Sequence, residues 1–254
     1  MIVRFLGLLF VLSLPFLALA QWIQTEPLPG LPLSGLIALC PALAAVVLVG
    51  TGEGWRGVLA PLARSFDAAR VAGWPGGRVA GRLKWIAVIV LMPTVTFLPW
   101  LLTGPTTTPT PLPVWAPLAM FAAFYLAGLG EELGWSAWLA EPMTRRWGEL
   151  AAALVLGVIW AAWHILPFLQ ADYSWDWIAW QCAKTVAFRV VMVRLYFGTG
   201  RSVFAVTALH ALDNVAAFSL PRVGGIYDPR ATAMLAGFVA IALTMSARSW
   251  QRRS

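Results

Sequence analysis

Eight apolar stretches dominate this sequence of 254 residues, and each is long enough to cross a lipid bilayer as a helix. A bilayer core of about 30 Å needs about 20 apolar residues in helical conformation. The stretches are Phe5–Ile23, Leu31–Gly50, Trp85–Leu102, Val114–Leu139, Leu150–Leu169, Ile178–Phe197, Ser202–Leu220 and Ala231–Ala247. They lack the period-two alternation of membrane β-strands. Only 11% of the residues are charged, against about 25% in soluble domains. We therefore predict an all-α, polytopic membrane protein, in which residues 1–254 form one bundle of about eight transmembrane helices.

Basic residues lie mostly on one side of this arrangement. Of the 18 Lys and Arg residues, 13 fall in the two termini or in the connectors after spans two, four and six. Positive residues favour the cytoplasmic side of a membrane. We therefore predict a cytoplasmic basic connector over about residues 51–84, cytoplasmic termini and a location in the plasma (inner) membrane. The basic residues punctuate apolar runs and form no single patch, so we expect the lipid bilayer, and no nucleic acid, as a partner.

The first span allows two interpretations. Arg4, the apolar run after it and Ala18-Leu19-Ala20 are also typical of a cleavable signal peptide. The apolar run continues to Ile23, which favours a retained helix. Both interpretations give the same orientation from residue 51 onward.

A pair of acidic residues lies inside the fourth span. Glu131 and Glu132 follow the uncharged run Val114–Gly130, and the apolar sequence continues to Pro142, where we expect the helix to end. An ionisable residue at the bilayer centre costs about 2.5–3.5 kcal/mol on insertion scales, so such residues are usually functional. Two adjacent carboxylates repel each other in a medium of low dielectric, which suits one of them to accept a proton as a general base. The alternative is that the pair marks an early helix end at the membrane interface.

Both histidines of the chain also lie within predicted spans. His164 is in the fifth span, whereas His210 and Asn214 are one turn apart in the seventh and share a face of its helix. A single membrane histidine often serves only as a hydrogen-bonding partner between helices. Here, however, the two histidines, the amide and the glutamate pair all fall at intermediate depth. We predict that these five side chains meet in one polar pocket shielded from lipid.

Other charged residues in the spans have a simpler interpretation. Lys184, Arg189 and Arg194 lie in the sixth span, and Asp213 lies in the seventh. We expect charge pairs between helices, with Lys184 or Arg194 extending to the membrane interface.

The five polar residues could activate a water molecule against an amide in two ways. In one, His164, His210 and Glu131 bind Zn²⁺, and the second glutamate is the general base. In the other no metal binds, Glu131 and His164 hold and deprotonate the water, and His210 and Asn214 donate hydrogen bonds to the oxyanion. The metal-free version accounts better for Asn214, because an amide is a poor zinc ligand but a good donor. Both versions remain open at this point.

Three ordered motifs carry a resemblance to a known family. They are Glu131-Glu132-Leu133-Gly134-Trp135-Ser136, then Trp160 four residues before His164, then His210 four residues before Asn214. They resemble the EExxxR, WxxxH and HxxxN motifs of the CAAX-protease and bacteriocin-processing family of intramembrane proteases. This family is also described as abortive-infection-like. The resemblance covers a protease-like core of about residues 114–220. It departs at Ser136, where the family has arginine; Arg145, Arg146 or Arg189 could take that role.

The resemblance implies an eight-helix fold whose polar cavity faces the cytoplasm. It also implies intramembrane hydrolysis of a membrane-associated or prenylated-type peptide or protein. It assigns Glu131 as the base with Glu132 in support, His164 as a water-positioning residue, and His210 and Asn214 as oxyanion donors. Zinc stays a candidate cofactor. Ser136 motivates an alternative, a catalytically degenerate member that acts as a membrane scaffold or immunity protein. A proton-coupled transporter is a further, less favoured alternative, because Glu and His also relay protons in membranes.

Overall fold

The computed structural model describes residues 1–23, 33–52, 54–68, 79–110 and 112–251. All regular structure in these ranges is helical, which confirms the all-α prediction. The α-helices are α1 (Ile2–Leu19), α2 (Cys40–Gly52), α3 (Trp55–Arg64), α4 (Val79–Thr103), α5 (Ala116–Glu132), α6 (Ala140–Trp147), α7 (Glu149–Gln170), α8 (Trp175–Gly198), α9 (Val203–Ser219) and α10 (Pro229–Gln251). Two 3₁₀-helices, Leu33–Leu39 and Leu220–Val223, precede α2 and follow α9.

The eight predicted spans correspond to eight helical runs of this bundle. Five of these runs are long and apolar enough to cross a membrane, namely α1, α2 with its 3₁₀ segment, α4, α7 and α10. The helices α5 and α9 have 17 residues each, and α8 carries basic residues. The extra helix α3 lies in the predicted basic connector; Arg70 and Arg78 of that connector lie outside the described residues. The polytopic helical bundle is therefore the observed architecture.

Ion pairs between connectors show that the last four predicted spans alternate in direction. At one end of the bundle, Arg201 Nη2 in the turn after α8 lies 3.1 Å from Glu141 Oε1 of α6. At the other end, Arg230 at the start of α10 pairs with Asp176 at the start of α8. Connectors predicted to share a side of the membrane thus meet at the same end of the molecule.

The chain remains helical for the whole stretch that follows the glutamate pair. A π-helix, Leu133–Leu139, joins α5 to α6. The prediction that Pro142 ends the helix is wrong, since Pro142 is the third residue of α6 and the helix ends at Gly148, with φ +78°. A proline is tolerated in the first turn of a helical segment, where backbone N–H groups need no acceptor within that segment. Helical turns of the π type are rare and occur frequently at functional sites.

The helix that carries the glutamates packs very closely against the segment 33–52. A Cβ atom added at Gly130 would lie 2.6 Å from the Ala38 carbonyl oxygen. One added at Gly134 would lie 2.5 Å from the Pro41 carbonyl oxygen. Small residues allow such close approach of membrane helices. Gly130 and Gly134 therefore fix the position of the segment on both sides of the glutamate pair.

Helix α1 contributes to the same core. Phe5 and Leu9 are fully buried, and the Phe5 ring meets the Trp135 ring edge to face at 5.9 Å. The indole Nε1 of Trp163 donates to Ser13 Oγ at 3.0 Å. A retained first helix accounts for these contacts; its retention stays a prediction.

We predict that Gly134→Ala destabilises the bundle. The new methyl group would overlap Pro41, and overpacking of a tight contact costs about 1–3 kcal/mol. The thermal midpoint of unfolding in detergent should fall by at least about 2 °C. The control is Gly237→Ala, because a Cβ at Gly237 meets nothing within 4 Å. Equal midpoints for the two variants would contradict this account of the packing.

Candidate active site

Glu132 is the most completely paired polar group of the site. Its carboxylate is fully buried and accepts hydrogen bonds from both Nη atoms of Arg189, at 2.8 and 3.2 Å. The Ser136 hydroxyl, one turn later, also donates to it, and His210 Nδ1 lies 3.1 Å from its Oε1. A buried charge is tolerated only when it is paired and hydrogen-bonded in this way. Glu132 is therefore held as an ionised structural centre within a continuous helical stretch inside the bundle.

Glu131 has a different environment, although it is the adjacent residue. Its Oε2 accepts a hydrogen bond from the indole Nε1 of Trp160 at 2.6 Å. Its Oε1 lies 4.0 Å from His210 Nε2. The residue is 6% exposed. A neutral donor thus orients Glu131, whereas an arginine neutralises Glu132, so the two carboxylates are chemically distinct.

His210 bridges the two glutamates from α9. Its Nδ1 faces Glu132 and its Nε2 faces Glu131. A carboxylate only accepts hydrogen bonds, so Nδ1 carries the proton in the contact with Glu132. The ring packs over Gly128, where an added Cβ would lie 3.5 Å from the imidazole. A methyl group at Gly128 would be in ordinary van der Waals contact with the ring, so His210 packs directly against the glutamate helix.

His164 lies at the edge of the same cluster and is half-buried. Its Nδ1 lies 2.9 Å from the Trp160 carbonyl oxygen of its own helix. Since a carbonyl accepts, Nδ1 carries the proton and Nε2 is left as an acceptor. The imidazole interacts electrostatically with Glu131 and His210. His164 thus presents a proton acceptor close to Glu131.

Asn214 is the least connected of the predicted site residues. It lies one turn after His210 on α9 and is half-buried. Its amide makes no hydrogen bond to another residue that the structure describes. The structure therefore brings together Glu131, Glu132, His164 and His210. Asn214 lies near them because it is one helical turn after His210 on α9, and no hydrogen bond connects it to the other four described residues.

The predicted charge pairs between helices are present. Lys184 of α8 pairs with Asp213 of α9, and Arg194 Nη1 lies 2.9 Å from Glu149 Oε1 of α7. The expectation that Lys184 or Arg194 extends to the interface is wrong for Lys184. Its side chain is buried because Asp213 satisfies its charge within the bundle.

The sequence does not identify the partners of two residues of the site. It offers Arg189 as part of a charge pair or as one of three arginines that could replace the motif arginine, and the structure places it on Glu132, with its guanidinium 3.9 Å from the centre of the Trp160 ring. Trp160 was noted only as a motif residue, yet it holds Glu131. A signal for Trp160 was its position one turn before His164 on the same helix face. For Arg189 the signal was a cation near the middle of a span.

The candidate zinc ligands do not form a ligand set in this arrangement. Within the described ranges, no group of three or more His, Cys, Asp or Glu side chains is placed to hold a metal ion. His164, His210 and Glu131 all lie within these ranges. Zinc binding therefore stays a prediction.

A comparison with protein families agrees with the motifs. Residues 113–216 match a family model described as Rce1-like, type II CAAX prenyl endopeptidase. The matched stretch runs from α5 into α9 and contains all five predicted site residues. No curated protein sequence matches the chain. The match confirms the resemblance drawn from the three motifs, and at the family level it supports an intramembrane endopeptidase of the CAAX type.

We predict that Lys184→Met strongly destabilises the protein. The substitution would leave the Asp213 carboxylate buried without its cation, and breaking a buried pair costs about 3–5 kcal/mol. The double variant Lys184→Met/Asp213→Asn removes both charges and should recover most of the loss. The control is Arg230→Met, which breaks the exposed pair with Asp176 and should cost about 0–1 kcal/mol. Thermal unfolding in detergent measures all three variants. If Lys184→Met unfolds at the same temperature as Arg230→Met, the buried pair does not stabilise the α8–α9 contact.

Proposed function

We propose that this protein is an intramembrane endopeptidase in which Glu131 activates water to hydrolyse a peptide bond of a membrane-associated or prenylated-type substrate. The unequal setting of the two adjacent glutamates carries the proposal. Glu132 is neutralised by Arg189, whereas Glu131 is oriented by the Trp160 indole and faces His210. Two carboxylates in contrasting environments are typical of sites that divide structural and acid–base roles.

The separation between Glu131 and His210 suits a bridging water molecule. Hydrogen bonds between heavy atoms are about 2.7–3.2 Å long. One water can therefore reach both Glu131 Oε1 and His210 Nε2, which lie 4.0 Å apart. In the proposed reaction Glu131 takes a proton from this water while His164 Nε2 accepts its second hydrogen, and the oxygen attacks the peptide carbonyl carbon. Glu131 then gives its proton to the departing amine.

The oxyanion that forms on the carbonyl requires hydrogen-bond donors. We assign this role to the Asn214 amide and to His210 Nε2, one turn away on α9, whose single N–H turns from the water to the oxyanion as the new C–O bond forms. Glu132 at Nδ1 fixes the orientation of the His210 ring and favours its protonated form, in which Nε2 can donate. A carboxylate supports histidine in the same manner in serine-protease triads.

The basic connectors support a cytoplasm-facing site in the plasma membrane. Arg145, Arg146 and Arg201 lie at the end of the bundle that the positive-inside rule assigns to the cytoplasm. We propose that the substrate reaches the site from that side. The Asn214 amide, which a proton relay does not need, favours hydrolysis over proton-coupled transport.

We predict that Glu131→Gln abolishes peptide cleavage while the protein still inserts and folds. The amide keeps the size of the side chain but cannot take up a proton, and loss of a general base costs about 10²–10⁴-fold in rate. Purified protein in detergent is assayed on a panel of prenylated and unmodified peptides. Glu141→Gln is the matched control, because Glu141 lies in exposed ion pairs with Arg145 and Arg201. Cleavage by Glu131→Gln at the rate of the control would contradict the proposal.

We also predict that cleavage survives removal of metal. The described histidines and carboxylates offer no three-ligand set, so incubation with EDTA or phenanthroline should leave the rate within about twofold of the untreated enzyme, and added Zn²⁺ should not raise it. Loss of activity on chelation, with recovery on addition of Zn²⁺, would show that a metal takes part.

A further inference from the structure

We propose that Arg189 of α8 is the positioning residue for both glutamates and supplies, from a different helix, the cation that the EExxxR motif would place at position 136. The proposal rests on the proposed function, since it explains how Glu131 and Glu132 are held for hydrolysis. It also bears on the alternative of a degenerate protein, which was motivated by Ser136.

The first observation is the position of the guanidinium group. Arg189 Nη1 and Nη2 bind the two oxygens of Glu132, and Nη1 also lies 3.4 Å from Ser136 Oγ. Ser136 and Arg189 are both fully buried. The short serine thus leaves the space beside Glu132 in which the guanidinium sits, and a longer side chain at position 136 would compete for that space.

The second observation connects Arg189 to the proposed base. The guanidinium lies 3.9 Å from the centre of the Trp160 ring, a cation–π contact that is strengthened when it is shielded from water. The same indole donates to Glu131 Oε2 at 2.6 Å. One cation therefore fixes Glu132 directly and Glu131 through Trp160. Only arginine offers both a two-pronged hydrogen bond and a flat face for stacking.

The third observation is that helix packing brings these groups together. A Cβ atom added at Gly157 of α7 would lie 3.0 Å from Val186 Cα and 3.3 Å from Arg189 Cβ. Gly157 lies one turn before Trp160, so the close approach of α7 and α8 sets the indole against the guanidinium. Within the described residues Arg189 Nε has no hydrogen-bond partner. All of the hydrogen bonds that the guanidinium makes thus point towards Glu132 and Ser136.

The test moves the arginine from α8 to the position it has in the motif. The variants are Arg189→Ser, Arg189→Lys and the exchange Arg189→Ser/Ser136→Arg, with peptide cleavage measured as separate kcat and KM values. We expect Arg189→Ser to lower kcat by at least about 100-fold with KM within about threefold, because a positioning role acts on the reacting groups more than on substrate binding. The exchange should regain at least about tenfold in kcat, and Arg189→Lys should fall between the parent and Arg189→Ser.

Several outcomes would overturn the proposal. They are a kcat of Arg189→Ser equal to that of the parent, or an exchange variant that folds but is no more active than Arg189→Ser. If Arg189→Ser does not fold, Arg189→Lys is the test, because it keeps the positive charge but not the flat guanidinium. A kcat of Arg189→Lys equal to that of the parent would then overturn the proposal.

Failure of the proposed function would look different. A parent protein that cleaves no peptide contradicts hydrolysis but leaves Arg189 testable by thermal unfolding. The exchange should then restore most of the stability that Arg189→Ser loses, and no restoration would overturn the role of Arg189.

Discussion

The buried carboxylate of Glu132 is the constraint on which the rest of the site depends. A charge of this kind within a membrane bundle is stable only with a cation and further donors beside it. Ser136 meets this requirement from the next turn of the glutamate helix, and Arg189 and His210 meet it from two other helices. Once Glu132 is fixed, His210 is oriented by its contact with that carboxylate, and His210 in turn faces Glu131. The position of His210 relative to Glu131, the proposed base, therefore depends on how Glu132 is paired.

The helices are arranged to make that pairing possible. Gly130 and Gly134 allow the segment 33–52 to pack tightly on the glutamate helix, and the His210 ring packs over Gly128. The π-helix begins directly after Glu132 and includes Ser136, whose hydroxyl points back to the carboxylate. Small residues and one widened turn therefore place four polar side chains together within a largely apolar bundle.

Much of this could be predicted from the sequence because lipid imposes simple rules. Length and apolar character identified the spans, and the rarity of ionisable residues in lipid drew attention to Glu131, Glu132, His164 and His210. The partner of each charge could not be predicted, because it depends on how closely two helices approach. Arg189 binds Glu132 from a helix that packs tightly on α7 at Gly157, and Lys184 stays inside because Asp213 faces it. The continuation of the helix through Pro142 likewise depends on the π-helix before it, which has no simple sequence signature.

The central claim is that Glu131 and His210 hold the attacking water between them. The most direct measurement is an experimental structure of the Glu131→Gln variant with a peptide substrate bound. The account predicts that the scissile carbonyl carbon lies within about 3.5 Å of a water held by residue 131 and His210, with the carbonyl oxygen directed to His210 and Asn214. A peptide bound elsewhere in the bundle, or a residue 131 side chain turned away from His210, would contradict it.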